Sequence, residues 1–322
     1  MDIAVDNQAV RSLNEEVRGQ LARLRSMSEH PELHAALTRW LEPRLSAWCE
    51  FALLCSRVAG EAPRQDLVSV VSAWLMICWA AGPLDDDVAG GRNADRAWTE
   101  LGPKMGPLMR GLVAEAEGLL LGDPLRPSQM AAARVLSRRL QEAALGQAVD
   151  LDEVQTLEAY EDVLERQAAI LTAALAESVA VLSGAESGRK QALATAGQEL
   201  GTALLVMKDY RDMWGAAAAT EPQVTDLDRP QMTYPVFYAL TRPHAYQDEF
   251  RALLSQAPAE RNTARMREIL TAIGAPQFMR DAVQQRTKRA LQAVRKISPE
   301  GVTDLERWCG RHVATEELKG AH

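Results

Sequence analysis

Two short acidic stretches contain the residues of this sequence that are best suited to chemistry. One is KDYRDMWG, which places Asp209 and Asp212 three residues apart, and the other is PLDDDVAGG, which contains Asp85, Asp86 and Asp87. Residues three apart share one face of a helix, so the first two carboxylates can converge. Magnesium is commonly bound by a few carboxylates together with phosphate oxygens of a substrate. Two facing acidic helix ends could therefore hold a diphosphate group through Mg²⁺.

Each acidic stretch also has a simpler interpretation. Consecutive aspartates at a helix end are usually solvated, and neighbours on a helix diverge by about 100°, so three in a row cannot all bind one cluster. Lys208, Asp209, Arg211 and Asp212 could instead form ion pairs on the surface. Pro83 leaves two alternatives open, since it could kink the helix and re-aim the aspartates, or end the helix and leave them in a loop.

Helical patterns cover most of the chain and supply the elements that would position these acids. Apolar residues recur at three- and four-residue spacing, alternating strand patterns are scarce, and Gly and Pro fall between the periodic segments. The sequence predicts an all-α protein with one domain, residues 1–322. The clearest predicted helices span 128–148, 155–183, 186–213 and 275–296.

One further segment, LVSVVSAWLMICWAAGPL at 67–84, carries no charge and leads directly into the three aspartates. Its length reaches the lower limit for a membrane span. It holds two serines, a glycine and a proline and lacks a basic flank, which is unusual for a span. We interpret it as a central helix surrounded by other helices.

Composition narrows the classes of partner and the compartment. A net charge of −8 and a pI near 5.3, with no basic cluster, argue against nucleic-acid binding. Four cysteines lack the spacing of a metal site or a disulfide scaffold and are expected to be reduced thiols. The first residues do not have the pattern of a secretory signal, so a cytoplasmic protein is expected.

Three other stretches follow in order: LGQAVDL at 145–151, RQAAIL at 166–171 and DLDRPQMTYPVFYAL at 226–240. Together with the acidic stretches they resemble the trans-isoprenyl diphosphate synthase (polyprenyl synthetase) family over nearly the whole chain. The resemblance implies the isoprenoid synthase fold, a single-domain bundle of long helices around a central apolar cavity. It also implies Mg²⁺, a prenyl diphosphate substrate and a homodimer.

The resemblance turns the aspartates into candidates for specific roles, although both motifs depart from the family pattern. Gly90 or Ala89 stands where the first motif would end in aspartate, and Lys208 replaces the first aspartate of the second motif. In the turn before, Leu205 replaces a glutamine. The candidate catalytic residues are Asp86, Asp87, Asp209 and Asp212, and the candidate metal ligands are these four and Asp85.

The basic residues of the family are also altered. The segment EPRLSAW keeps Arg44 but has Ser46 where the family has a second arginine, which weakens the expected site for isopentenyl diphosphate. Cations close to a diphosphate remain favourable. The candidate diphosphate-binding residues are Arg96, Arg166, Lys208 and Arg229.

These departures leave three functions open. The first, which the weakened isopentenyl site favours, is a terpene synthase that ionises an allylic prenyl diphosphate of about C15 to C20 and cyclises the cation. The second is a prenyltransferase that uses isopentenyl diphosphate or another acceptor, and the third is a non-catalytic subunit of a heteromeric synthase. The residues expected to line the cavity are Trp74, Trp79, Ala81, Gly82, Gln147, Leu205 and Tyr210.

Overall fold

The computed structural model describes residues 6–87, 104–122, 126–147, 154, 156–214, 227 and 232–313, and every regular element within these ranges is a helix. The prediction of an all-α fold is therefore confirmed. A π-helical turn, Glu165–Ala169, joins α8 to α9, and a 3₁₀ turn, Pro258–Glu260, precedes α13. The α-helices are α1 (Asn7–Ala22), α2 (Arg25–Glu29), α3 (Pro31–Leu41), α4 (Leu45–Ala59), α5 (Arg64–Asp87), α6 (Met105–Leu121), α7 (Pro127–Gln147), α8 (Leu157–Leu164), α9 (Ile170–Leu182), α10 (Ser187–Trp214), α11 (Tyr234–Thr241), α12 (Gln247–Leu254), α13 (Thr263–Ala272), α14 (Ala275–Arg295) and α15 (Pro299–His312).

The observed helix bounds follow the predicted ones closely, with one internal difference. Three of the predicted segments correspond to α7, α10 and α14. The fourth, 155–183, is divided into α8, the π turn and α9. The Thr156 side-chain oxygen starts α8 by accepting the backbone N–H of Ala159 at 3.1 Å, which is the usual role of threonine at this position.

Helix α5 lies at the centre of the bundle. Its side chains from Leu67 to Ala80 are buried except that of Cys78, which is half-buried. It contacts α1, α3, α4, α6, α7 and α9, so its apolar surface is covered by protein on several sides. In the part of the chain that the structure describes, no helix has both the length and the apolar character needed to cross a membrane.

Helix α5 does not end at its proline. It continues through Pro83 to Asp87, so the alternative in which Pro83 ends the helix is wrong. Proline removes one backbone hydrogen bond from a helix. Here this loss falls in the last turns of a 24-residue helix, and the preceding turns are stabilised by burial of their side chains.

Helices α9 and α10 run antiparallel in close contact. A Cβ atom at Gly201 of α10 would lie 2.6 Å from the Cα atom of Ala169, and one at Gly197 would lie 2.8 Å from the Cα atom of Ala173. Residue numbers therefore increase along α10 in the direction in which they decrease along α9. The π turn, at the start of α9, consequently lies beside the middle of α10, where the Gln198 amide donates to the Glu165 carbonyl at 2.7 Å, and α10 runs on past this turn to its end.

Helix α7 is also antiparallel to α9. The Ser178 hydroxyl of α9 donates to the carbonyl of Ala132, near the start of α7. At the other end of α7, a Cβ atom at Gly146 would lie 2.8 Å from the Arg166 backbone, so only glycine permits this approach. The end of α7 therefore meets the π turn.

Helix α5 completes this arrangement. Near its start, Asp66 accepts the Gln129 side-chain amide at the start of α7, and farther along, the Trp74 indole donates to the Leu171 carbonyl at 2.6 Å. The starts of α5 and α7 are adjacent, so the two helices run in the same direction. The ends of α5, α7 and α10 and the π turn therefore share one end of the bundle, hereafter the acidic end.

Candidate active site

The second acidic stretch forms about the last two turns of α10, at the acidic end. Asp209 and Asp212 lie three residues apart on this helix and both are partly exposed. The Lys208 ammonium contacts the Asp212 carboxylate at 3.1 Å, as an i,i+4 ion pair with 59% and 40% of the side chains exposed. Lys208 thus partly neutralises the carboxylate of Asp212, which the family resemblance places at the end of the second motif.

Asp209 has a different partner. Its Oδ2 atom accepts the backbone N–H of Tyr234 at 3.0 Å, and Tyr234 is the first residue of α11. Backbone N–H groups in the first turn of a helix lack partners inside the helix and carry partial positive charge. The contact therefore holds one carboxylate oxygen of Asp209 against the positive end of α11.

The first acidic stretch is described only by its backbone. Asp85, Asp86 and Asp87 are helical and end α5 at the acidic end, but their side chains lie outside the described residues. The same holds for Ala81 and Gly82, the small residues expected to set the depth of the cavity. The predicted roles of these five residues stay predictions.

Of the predicted diphosphate-binding arginines, Arg166 is described. It lies in the π turn at the acidic end, with 63% of its side chain exposed, and pairs with Asp162 at 3.3 Å. Arg96 and Arg229 lie outside the described residues, as does the side chain of Gln147, the last residue of α7. The structure thus brings Arg166 and Lys208 to the acidic end through separate helices.

The aromatic residues expected beside a cavity are buried in the helical core. Trp74 is 2% exposed and packs against Trp48 with 4.8 Å between ring centroids, and Trp79 is 1% exposed. Leu205 is half-buried, and the buried Tyr210 ring lies 5.5 Å from that of Trp214. These contacts agree with a packing role, and lining a cavity stays a prediction.

Arg44, which the sequence analysis connected with isopentenyl diphosphate, has internal partners. Its guanidinium donates to the Trp40 carbonyl at 2.7 Å and lies 5.1 Å from the centre of the Trp40 ring. Ser46, the second residue of α4, is exposed. The segment thus contains one of the two expected arginines, and the side chain of that arginine is held against Trp40 at the end of α3.

Sequence reasoning missed a charged cluster beneath the acidic end. The Arg286 guanidinium of α14, with 10% of its side chain exposed, is surrounded by three glutamates: it donates to Glu161 at 2.8 Å and to Glu199 at 3.3 Å, and it also pairs with Glu165. Burial raises the pKa of Glu199, and Arg286 opposes that shift. Glu161 and Glu165 lie one turn apart, which indicates a shared face, but no local pattern connects them with a residue more than 120 positions away.

Taken together, an all-helical bundle whose long helices end in carboxylates and cations at one side defines the class of isoprenoid synthase-like proteins. The polyprenyl synthetase family profile matches residues 108–273, slightly more than half of the chain. The chain therefore belongs to the polyprenyl synthetase family. The matched region includes Asp209 and Asp212 but not the three aspartates of α5.

Individual relatives agree with this assignment. A (2E,6E)-farnesyl diphosphate synthase of Mycobacterium tuberculosis is 25% identical over 256 residues, which span 76% of this chain and 71% of that protein. A geranylgeranyl pyrophosphate synthetase from Pyrococcus horikoshii has a similar structure, with a TM-score of 0.79, 16% identity, and coverage of 96% of this chain and 99% of that one. A polyprenyl synthase from Caulobacter crescentus, complexed with calcium and isoprenyl diphosphate, gives a TM-score of 0.77 with 20% identity, 96% coverage of this chain and 95% of that one. The chain is thus a member of an enzyme family with the fold of prenyl synthases.

Proposed function

We propose that this protein is a prenyl diphosphate synthase, which transfers an allylic prenyl group to isopentenyl diphosphate and releases diphosphate. In this reaction the bond between the allylic carbon and the diphosphate oxygen breaks. A carbon–carbon bond forms to the terminal alkene carbon of isopentenyl diphosphate, which then loses a proton. The observation that carries the proposal is the position of Asp209 and Asp212 at the acidic end, inside the region matched by the family profile.

The residues at the acidic end fit Mg²⁺ by the chemistry of their donors. Magnesium takes oxygen ligands and is often held by one or two carboxylates together with substrate phosphates and water. Asp209 and Asp212 supply two carboxylates on one helix face, while the described residues contain no group of three metal-ligating side chains. The remaining carboxylates are proposed to come from among Asp85, Asp86 and Asp87, of which not all three can face one cluster because they are consecutive residues of a helix. When bound, the ion would neutralise charge that develops on the leaving diphosphate.

The cations are proposed to hold the diphosphate. Lys208 and Arg166 reach the acidic end from α10 and the π turn, and both keep more than half of their side chains exposed. Each is paired with a carboxylate one helical turn away, and a diphosphate would compete for the same cation with a higher charge. Arg96 and Arg229 are proposed as further partners, by the family resemblance.

The apolar helices beneath the acidic end are proposed to hold the hydrocarbon chain away from water. Trp74, Trp79 and Leu205 lie on α5 and α10, whose ends carry the aspartates. Apolar walls beside a charged end suit a substrate with a charged head and a hydrocarbon tail. We further propose a homodimer, as the family resemblance implies.

A second candidate, cyclisation of the allylic cation by a terpene synthase, is favoured by one observation. Ser46 replaces a basic residue in the segment connected with isopentenyl diphosphate, and Arg44 is held against Trp40. The farnesyl diphosphate synthase relative and the family match favour the synthase instead. An acceptor other than isopentenyl diphosphate would also agree with the altered segment.

The test is diphosphate release by the purified protein with Mg²⁺ and geranyl, farnesyl or geranylgeranyl diphosphate, each with and without isopentenyl diphosphate. Mass spectrometry of the extracted products is expected to find chains five carbons longer, formed only when isopentenyl diphosphate is present. Asp209→Asn should slow the reaction by at least roughly tenfold. The matched control is Asp248→Asn, an exposed aspartate of α12 that should leave the rate unchanged.

Other outcomes would replace the proposal. Release without isopentenyl diphosphate, with a hydrocarbon or terpene alcohol as product, would establish the terpene synthase. No release with any substrate would leave a non-catalytic subunit, or a transferase that uses a different acceptor.

A further inference from the structure

A chain of hydrogen bonds connects the charged cluster beneath the acidic end with Asp209. The Tyr234 hydroxyl donates to Glu161 Oε1 at 2.6 Å, and the other Glu161 oxygen accepts from Arg286 at 2.8 Å. The backbone N–H of the same tyrosine donates to Asp209 Oδ2 at 3.0 Å. One residue therefore contacts both the buried ion cluster and a candidate metal ligand.

Asp209 takes the place of a helix cap for α11. Thr233, the residue before the helix, makes no capping bond with its side chain, and its buried hydroxyl finds no partner among the described residues. Pro235 has no N–H to offer. The Tyr234 N–H is therefore directed at a carboxylate from another helix, which fixes one oxygen of Asp209 relative to the start of α11.

The start of α11 is held from α8 by two consecutive residues. Tyr160 donates its hydroxyl to the Met232 carbonyl at 3.1 Å, and its ring stacks on Phe237 with 4.2 Å between centroids. Glu161 holds the Tyr234 hydroxyl, and Tyr234 itself is 1% exposed. The backbone that contacts Asp209 is thus held by two hydrogen bonds and a ring contact from α8, made largely by buried side chains.

We propose that Tyr234 is a positioning residue for Asp209, acting through the backbone N–H that its buried hydroxyl and ring hold in place. The inference rests on the proposed function, because it gives Asp209 the role of a metal ligand. Groups that orient a metal ligand without touching the metal commonly change metal affinity by about tenfold or more when they are removed. Tyr234→Phe should therefore weaken metal binding even though no metal ligand is altered.

The matched control is a tyrosine on the same helix. Tyr238 also uses its hydroxyl in one hydrogen bond, to the Ile273 carbonyl at 3.2 Å, and it stacks on Phe278 as Tyr234 does. It lies one turn farther from the start of α11. Tyr238→Phe removes an equivalent hydroxyl without touching the contact to Asp209.

The experiment measures Mn²⁺ binding by electron paramagnetic resonance, with inorganic diphosphate present, for the full-length protein and its variants. Tyr234→Phe is expected to raise the dissociation constant on the order of tenfold, while Tyr238→Phe leaves it within about twofold of the wild type. In an Asp209→Asn background, Tyr234→Phe should have no further effect, because the group that it positions is already changed. Circular dichroism of each variant establishes that the helices are intact.

Two results with the variants would overturn the inference. Equal effects of Tyr234→Phe and Tyr238→Phe would mean that the hydroxyl has only a packing role, and an undiminished effect in the Asp209→Asn background would mean that it acts by another route. The proposed function fails separately, if the wild-type protein binds Mn²⁺ with diphosphate but releases no diphosphate from any allylic substrate. If the wild-type protein binds no Mn²⁺, both fail.

Discussion

Replacing Arg286 by methionine tests whether a single buried cation holds three helices together. Its guanidinium contacts glutamates from α8, the π turn and α10. Within the described part of the chain, Glu161 and Glu165 form ion pairs only with Arg286, so the substitution leaves both without a cationic partner there. Glu199 keeps Arg289, at 3.9 Å. Methionine approximates the length of the arginine stem and limits the cavity that the substitution leaves.

The expected magnitude follows from burial. Removing one partner of a buried ion pair costs about 3–5 kcal/mol, because the remaining charge stays buried without compensation. Glu199 is 15% exposed, whereas Glu161 and Glu165 are nearly one-third exposed and keep some hydration, which favours the lower half of that range. For a chain of 322 residues, such a loss corresponds to a decrease in melting temperature of about 4–6 °C.

The measurement is the free energy of unfolding in urea at pH 7.5, together with the melting temperature. Arg289→Gln is the matched control, since Arg289 lies one turn along α14, reaches the same Glu199 and has 47% of its side chain exposed. A pair so exposed contributes about 1 kcal/mol or less. Glu199→Gln combined with Arg286→Met should recover part of the lost stability, because it removes one of the uncompensated charges.

The effect of Arg286→Met should also depend on pH in a definite direction. Burial already raises the pKa of Glu199 in the wild type, and losing Arg286 raises it further. A carboxyl whose pKa is higher in the folded state lowers stability above that pKa and ceases to do so as pH falls below its unfolded value. The deficit of Arg286→Met should therefore be largest near pH 8 and shrink towards pH 5. A loss no greater than that of Arg289→Gln, or a deficit that grows as pH falls, would refute the reasoning.

Three further outcomes are expected. Gly201→Ala should lower the free energy of unfolding in urea by about 1–3 kcal/mol, because the new Cβ atom would lie 2.6 Å from the Cα atom of Ala169. Gly188→Ala on the same helix, where nothing lies within 4 Å, should be neutral or slightly stabilising, and equal losses would contradict the packing argument. Lys208→Gln should leave the melting temperature nearly unchanged, since the ion pair between Lys208 and Asp212 is exposed. The same change should raise the KM for the allylic diphosphate, and an unchanged KM would mean that Lys208 does not bind the diphosphate. Burial raises the pKa of Cys49 to about 12, so iodoacetamide at pH 8 should alkylate this thiol only after the protein unfolds. Mass spectrometry measures the alkylation, and rapid alkylation in the native protein would contradict the burial of Cys49.

Much of the fold was accessible from local patterns. The three- and four-residue spacing of apolar residues predicted α7, α10 and α14 to within about two residues, because amphipathic periodicity reflects burial on one face. The uncharged stretch before Asp85 predicted the central helix α5, since a helix covered on several sides has no polar face. The order of short motifs also identified the family and pointed to Asp209 and Asp212.

Other features depend on contacts between distant parts of the chain. The π turn occurs where Gly146 and Gly201 let two helices approach the same backbone, and no periodicity in 155–183 distinguishes it from an ordinary helix. Pro83 illustrates the converse, because its local tendency to end a helix was overridden by the burial of the preceding turns. Local preferences amount to a few kcal/mol and tertiary packing can exceed them.

The sequence by itself determined the all-helical class, the central helix and the acidic residues at the helix ends, because each is encoded by residue type and spacing within one helix. Only the tertiary structure decided what those residues contact. It paired Asp209 with the start of α11 through Tyr234, and it placed Arg286 among three glutamates from other elements. The physical reason is that a hydrogen bond or ion pair depends on distance in space, and helices far apart in sequence meet only when the core that they share has formed.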